Sequence, residues 1–129
     1  MKKKRPLITT KLVLSGGEPF IFRISLNFKK GSIKLHLIVN DDQDGLHTHP
    51  WDFTSFILFG GYFEETSNSC QNYNMFSINR KKYNEQHCIK LKRFLSFKIP
   101  TLTIGRYSKK FALCSHCQPY GYCLNSIYD

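Results

Sequence analysis

Apolar and polar positions alternate along most of this chain. Between Pro19 and Phe28, the residues Phe20, Phe22, Ile24, Leu26 and Phe28 share one parity, and Arg23, Ser25 and Asn27 share the other. Period two is the mark of a strand with one face on a core, so the pattern predicts a strand with Arg23, Ser25 and Asn27 pointing outward. Ser32–Val39 repeats the alternation, with Ile33, Leu35, Leu37 and Val39 set against Lys34 and His36. Phe53–Phe59 is apolar on both parities, which predicts a central strand buried on both sides. Leu7–Leu14, Tyr62–Thr66, Tyr73–Ile78, Gln86–Leu91, Phe94–Ile99, Thr101–Tyr107 and Phe111–Cys114 read as further short strands. Turn signals separate them: Ser15-Gly16-Gly17, Lys29-Lys30-Gly31, the polar run Asn40–Gly45, Gly60-Gly61, Ser67–Asn72 and the basic stretch Asn79–Glu85. Roughly nine or ten strands with short connections and no long helix predict an all-β sandwich or small jelly-roll barrel. The inward faces of such a barrel line a cavity suited to a ligand.

Length changes this picture little. The 129 residues suit a single domain spanning 1–129, large enough for a core without staples, with a basic and flexible N-terminus over 1–6. Charge adds more. There are 19 Lys and Arg against 9 Asp and Glu, a formal net charge of +10, which favours anionic partners without choosing among them. No apolar run approaches the roughly 18 residues of a membrane-crossing helix, and the basic start is not followed by a long apolar segment. An intracellular, cytoplasmic protein is expected. Five cysteines, an odd number, argue for free thiols rather than a disulfide framework. Cys114-x-x-Cys117 with Cys123 and His116 lacks the second complete pair of a zinc ribbon.

The candidate chemistry lies in His47-Thr48-His49-Pro50-Trp51-Asp52, just before the buried strand. On a strand, residues i and i+2 point to one face, so the two imidazoles enter one space. His87 lies on the face it shares with Ile89 and Leu91, about forty residues on, which is far enough for the chain to return to the same side of a barrel. A third imidazole there completes a facial set that leaves coordination positions open. Asp52 is the nearest carboxylate, as a fourth ligand or as a group orienting a ligand. His36, on a polar parity, reads as a surface or supporting residue, and His116 as a turn residue. Tyr62 and Glu64, same-face neighbours beyond the glycine pair, are candidates for acid–base work. Arg80 and Arg106 are candidates for holding an acidic substrate, against a plain reading as solvated surface.

These motifs resemble the cupins. The resemblance rests on His47-Thr48-His49 leading into Phe56-Ile57-Leu58-Phe59-Gly60, followed by the lone His87. More narrowly, the chain is similar to small single-domain cupin-like proteins of bacteria and phages. That likeness lies in Leu35-His36, Asp41-Asp42-Gln43-Asp44, Leu46 through Phe53, Ile57 through Tyr62, and Glu64. It runs from about residue 20 to residue 124. It implies a small β-barrel with His47, His49 and His87 as ligands to a divalent transition metal: iron, manganese, nickel or zinc. Two departures matter. The glutamate that cupins place shortly after the second histidine is replaced by Phe53 and Thr54, and His87 lacks the usual Pro-x-Gly before it and asparagine after it.

Three functions compete. The first is a metal-dependent enzyme, dioxygenase- or isomerase-like, acting on a small anionic molecule. The second is a barrel that binds or sequesters such a ligand, a nucleotide or sugar phosphate, without turnover. The third is nucleic-acid association through the basic surface, which no recognised motif supports. No membrane partner is expected; a homodimer is the assembly considered.

Overall fold

The computed structural model describes residues 6–109. The predicted strand Phe111–Cys114, the residues Cys114, His116, Cys117 and Cys123, and most of the basic N-terminus lie outside the described residues. Eleven strands follow in order: β1 Ile8–Ser15, β2 Glu18–Phe28, β3 Gly31–Ile38, β4 Phe53–Phe59, β5 Gly61–Thr66, β6 Cys70–Asn74, β7 Ile78–Lys81, β8 His87–Leu91, β9 Arg93–Phe94, β10 Phe97–Lys98 and β11 Thr101–Ser108. The described residues contain no helix. A six-stranded sheet runs β1-β2-β3-β11-β4-β7, a three-stranded sheet runs β6-β5-β8, and β9-β10 is a separate hairpin. All pairings are antiparallel. Phe20, Ile21, Ile38 and Ile57 from the large sheet pack with Tyr62, Ile89 and Leu91 from the small one, so the apolar core lies between the sheets.

The chain passes from one sheet to the other at Gly60-Gly61. Gly60 has φ +81°, and a Cβ there would come within 2.5 Å of the Pro100 carbonyl oxygen. Only glycine combines that backbone with that close approach. Just beyond it, the fully buried Thr101 hydroxyl donates to Gly61 O at 2.9 Å and accepts from Gly61 N at 3.1 Å, pinning β5 to the start of β11.

The strands around residues 20–39 form as the alternation predicts, but with the faces exchanged. Arg23, Ser25 and Asn27 on β2 and Lys34 and His36 on β3 are buried, while Phe22, Ile24, Phe28, Ile33 and Leu37 are exposed. Most of the inner polar groups find local partners: Arg23 Nε donates to His36 Nε2 at 2.8 Å, Lys34 Nζ to Ser25 Oγ at 3.2 Å, and Asn27 Nδ2 to Thr9 Oγ1 at 2.9 Å, while Asn27 Oδ1 is buried without a hydrogen-bond partner. Alternation separates two faces but does not say which one a closing barrel will enclose, and here the enclosed face is the polar one. The predicted strand Tyr73–Ile78 is instead broken by a turn. β6 ends at Asn74 and β7 begins at Ile78, with Phe76 at φ 68° in the turn between them. The stretch predicted as a polar connection therefore supplies a strand whose Asn79 and Lys81 point inward. The predicted strand Phe94–Ile99 is instead the β9–β10 hairpin, turning at Leu95 with φ 57°.

The exchanged faces give unequal costs to two substitutions of similar chemistry. Ile24→Thr, half-exposed, should change stability by no more than about 1 kcal/mol. Ile57→Ala, in the core at 0% exposure, should cost about 2–5 kcal/mol. Urea unfolding of both variants measures the difference; equal losses would return Ile24 to the interior.

Candidate metal centre

The three histidines arrive from two strand segments that meet. His47 N donates to His87 O at 3.1 Å and His87 N to His47 O at 2.9 Å, a short antiparallel bridge that fixes the two backbones side by side. His49 follows two residues on, and its ring lies parallel to Trp51, with centroids 5.7 Å apart and planes 2° from parallel. The ring centroids of His47–His49, His47–His87 and His49–His87 are 4.9, 5.1 and 4.9 Å apart, close to an equilateral triangle. One nitrogen from each falls within 4.8 Å of the others. Small ring rotations bring such atoms to the spacing that bonds of about 2.0–2.1 Å to one shared ion require.

Hydrogen bonds to the far side of two rings set which nitrogen faces that point. His87 Nδ1 lies 3.0 Å from Glu64 Oε2, and a carboxylate can only accept, so Nδ1 carries the proton. His87 Nε2 is buried and has no hydrogen-bond partner. His47 Nδ1 donates to the Gly45 carbonyl at 2.8 Å, with an Asp42 carboxylate oxygen at 3.3 Å. In the neutral ring the lone pair of His47 then sits on Nε2. His49 is held neutral by burial first and then by the like charges that His87 and His47 would carry, so it too keeps a lone pair. Neutral imidazoles with converging nitrogens suit a divalent transition metal, and the orphaned Nε2 of His87 is the atom that such an ion would satisfy.

Glu64 is the anchor beneath His87. It is fully buried, accepts from Asn79 Nδ2 at 3.0 Å and pairs with Lys81 Nζ at 2.6 Å. Burial alone raises a carboxyl pKa, but the His87 contact and the Lys81 and Asn79 hydrogen bonds outweigh it and hold Glu64 below its ordinary value. Asn79 also donates to the Tyr62 hydroxyl at 2.7 Å. Burial holds that hydroxyl firmly protonated. Asp42 plays the corresponding part for His47. Its Oδ1 accepts from Ser15 Oγ at 2.9 Å and from Asp44 N at 3.1 Å, fixing the acidic loop against the end of β1.

The histidines open into a cavity of about 370 Å³ whose wall includes Arg23, His36, Trp51, Tyr62 and Tyr107. Other predicted site residues lie elsewhere. Asp52 is not brought to the cluster: its carboxylate accepts from Tyr83 N at 2.8 Å and lines a separate cleft with Arg80 and Arg106. Arg80 and Arg106 are exposed there and do not line the histidine cavity. His36 is buried in the barrel and is not among the three converging rings. Sequence reasoning passed over Asp42, Asn79, Lys81, Arg23 and Tyr107. Asp42 belongs to a run that reads as a polar loop, Asn79 and Lys81 to one that reads as a basic connection, and Arg23 to the outward parity of its strand; Tyr107 carries no signal beyond lying on a strand. Of the thiols, Cys88 is buried and Cys70 exposed, and both are free.

Among solved structures, AerE from Microcystis aeruginosa superposes with a TM-score of 0.60 at 14% identity, over 84% of this chain and 47% of that one. The iron(II) form of HppE gives 0.61 at 8% identity, over 78% and 56%. Rru_A2000 from Rhodospirillum rubrum, a cupin-2 domain, gives 0.60 at 11% identity, over 85% and 75%. The chain spans about half the length of AerE and HppE. At these identities the likeness concerns the fold, and the fold is that of a cupin. No family model matches the chain, and no curated protein matches it in sequence. No helix among the described residues is long and apolar enough to cross a membrane.

The pairing beneath His87 yields two measurable effects. Glu64→Gln keeps the shape but loses the charged acceptor, and should weaken metal binding about 10- to 100-fold in a competition titration. Lys81→Met leaves the Glu64 carboxylate buried without its ammonium, and should cost about 3–5 kcal/mol in urea unfolding. Glu64→Gln binding metal like the wild type would show that His87 needs no anchor.

Proposed function

We propose that this chain is a metal-dependent enzyme that binds iron, manganese, nickel or zinc through His47, His49 and His87 and acts on a small anionic molecule in the adjoining cavity. The observation that carries this reading is the buried, unpartnered Nε2 of His87, converging with nitrogens of the other two rings. An ion held by three protein ligands keeps positions open for substrate and supplies Lewis acidity or redox chemistry of the oxygenase or isomerase type.

The chain's own residues do the rest. Glu64 acts through His87, holding the ring by its Nδ1–H, and its ion pair with Lys81 keeps the carboxylate charged. Tyr62, which lines the cavity, accepts from Asn79 and so keeps its own O–H available to donate. Trp51, stacked on His49, and Phe53, 6.0 Å from the His87 ring, give the site apolar walls that limit water. A second reading, retention of the ligand without turnover, draws on the same cavity with its buried Arg23. Oxygen uptake or product formation across a panel of small organic acids separates the two.

Metal analysis tests the common premise. Protein produced in metal-replete medium should carry about one ion per chain, and His47→Ala and His87→Ala should carry almost none. A wild type with no more metal than these variants removes the metal from the function altogether.

A further inference from the structure

Beyond Trp51 and Phe53, which pack against the histidines, the cavity wall carries a hydrogen-bond chain with only one possible direction. Arg23 Nε can only donate, and it meets His36 Nε2 at 2.8 Å. His36 Nε2 therefore accepts, the ring is neutral, and its single proton sits on Nδ1. That nitrogen faces the Tyr107 hydroxyl at 3.2 Å and must donate to it. The hydroxyl oxygen is thus an acceptor from His36, and its own hydrogen is left to point elsewhere. His36 is kept neutral by burial and by the nearby charges of Arg23 and Lys34, in agreement with this direction. Tyr107 is 5% exposed, its ring lies against Phe53 with centroids 5.2 Å apart, and it lines the same cavity as the three histidines.

The charge on this wall is positive. Arg23 and Lys34 are both buried, and each lies over the Trp51 ring, at 5.6 and 5.0 Å; Lys34 also lies 5.7 Å over the Tyr107 ring. The carboxylates that line the cavity, Asp42 and Asp44, belong to the His47 side, where Asp42 is held by Ser15 and the His47 ring. A buried hydroxyl oriented to donate, backed by two buried cations, is complementary to a ligand oxygen carrying negative charge.

We propose that the Tyr107 hydroxyl, oriented through His36 by Arg23, is the recognition group for an acidic oxygen of the ligand, a carboxylate or a phosphonate-type oxyanion. This rests on the cavity being the ligand site of the proposed function, but it does not require the metal. Tyr107 touches the ligand, whereas His36 and Arg23 are positioning residues. Alternation places Arg23 outward and reads His36 as a surface or supporting residue, and it assigns no role to Tyr107.

Calorimetric titration with succinate and with methylphosphonate, using succinamide as the uncharged control, tests the assignment. Tyr107→Phe keeps the ring on Phe53 and removes only the hydroxyl. It should weaken at least one anion about tenfold or more, leave succinamide unchanged and leave metal content at the wild-type level. The anion affected identifies the oxyanion class. Arg23→Lys keeps the charge but loses the Nε–H that fixes the His36 ring, and should weaken the same anion by a smaller factor; it serves equally if Tyr107→Phe folds poorly. Binding of both anions by Tyr107→Phe within twofold of the wild type overturns the proposal. So does a wild type that binds neither anion, or that binds succinamide as tightly as succinate. Repeating the titration on His47→Ala separates the two ideas. A Tyr107 effect that survives there, in a protein that takes up no metal, upholds the recognition group while the metal reading stands or falls on its own analysis.

Discussion

The ion pair between Glu64 and Lys81 is the interaction on which the centre of this barrel depends. A fully buried carboxylate is tolerable only if it is paired and hydrogen-bonded: here Oε2 accepts from Asn79 and His87, and Oε1 has the Lys81 ammonium as its ion-pair partner. The arrangement has a directional consequence. Because Glu64 can only accept, His87 must present its Nδ1–H to it, and in the neutral ring the lone pair then sits on Nε2. The lone pair faces His47 and His49. Two sheets are joined in this way as well: Glu64 comes from β5 of the small sheet, and Asn79 and Lys81 from β7 at the edge of the large one.

The interior is divided electrostatically. On one side, carboxylates stand behind the histidines: Glu64 behind His87 and Asp42 behind His47. On the other, Arg23 and Lys34 stand behind His36, Trp51 and Tyr107. Anionic groups behind imidazoles raise their basicity and fix their orientation, which suits a cation among them. Cations behind a tyrosine and a neutral histidine suit an anion. A cavity with both features fits the proposed reading of a small anionic ligand beside a histidine-bound cation.

Much of this was legible in the sequence, for identifiable reasons. The i and i+2 spacing of His47 and His49 and the face of His87 follow from strand period alone, and the structure brings these three rings together. Phe53–Phe59 forms an interior strand of the large sheet as its apolar run predicts, but it is not buried on both sides: Ser55 and Ile57 are buried while Thr54 and Phe59 are exposed. The all-β architecture follows from the turn spacing. The inner face of β2 and β3 was not legible. Alternation there is equally strong on either reading, and only barrel closure decides that Arg23, Lys34 and His36 are enclosed. The supporting residues were hidden because their partners are distant in sequence. Asp42 acts on His47 through a loop that reads as solvent, and Lys81 belongs to a strand disguised by its basic composition. Asp52, adjacent to the histidines in sequence, turns to the Tyr83 amide instead, so proximity along the chain was a poor guide to proximity in the fold.

The most direct test of this picture is the protonation pattern of the three ligand rings, read by long-range ¹H–¹⁵N correlation on metal-free protein near pH 7.5 and again after addition of zinc. The structure predicts that His87 and His47 carry their proton on Nδ1 in the metal-free state, with an unprotonated Nε2. The Nε2 resonances of His47 and His87 should then shift on zinc addition, together with one ring nitrogen of His49. A His87 protonated on Nε2, or ring nitrogens that ignore zinc, would contradict it.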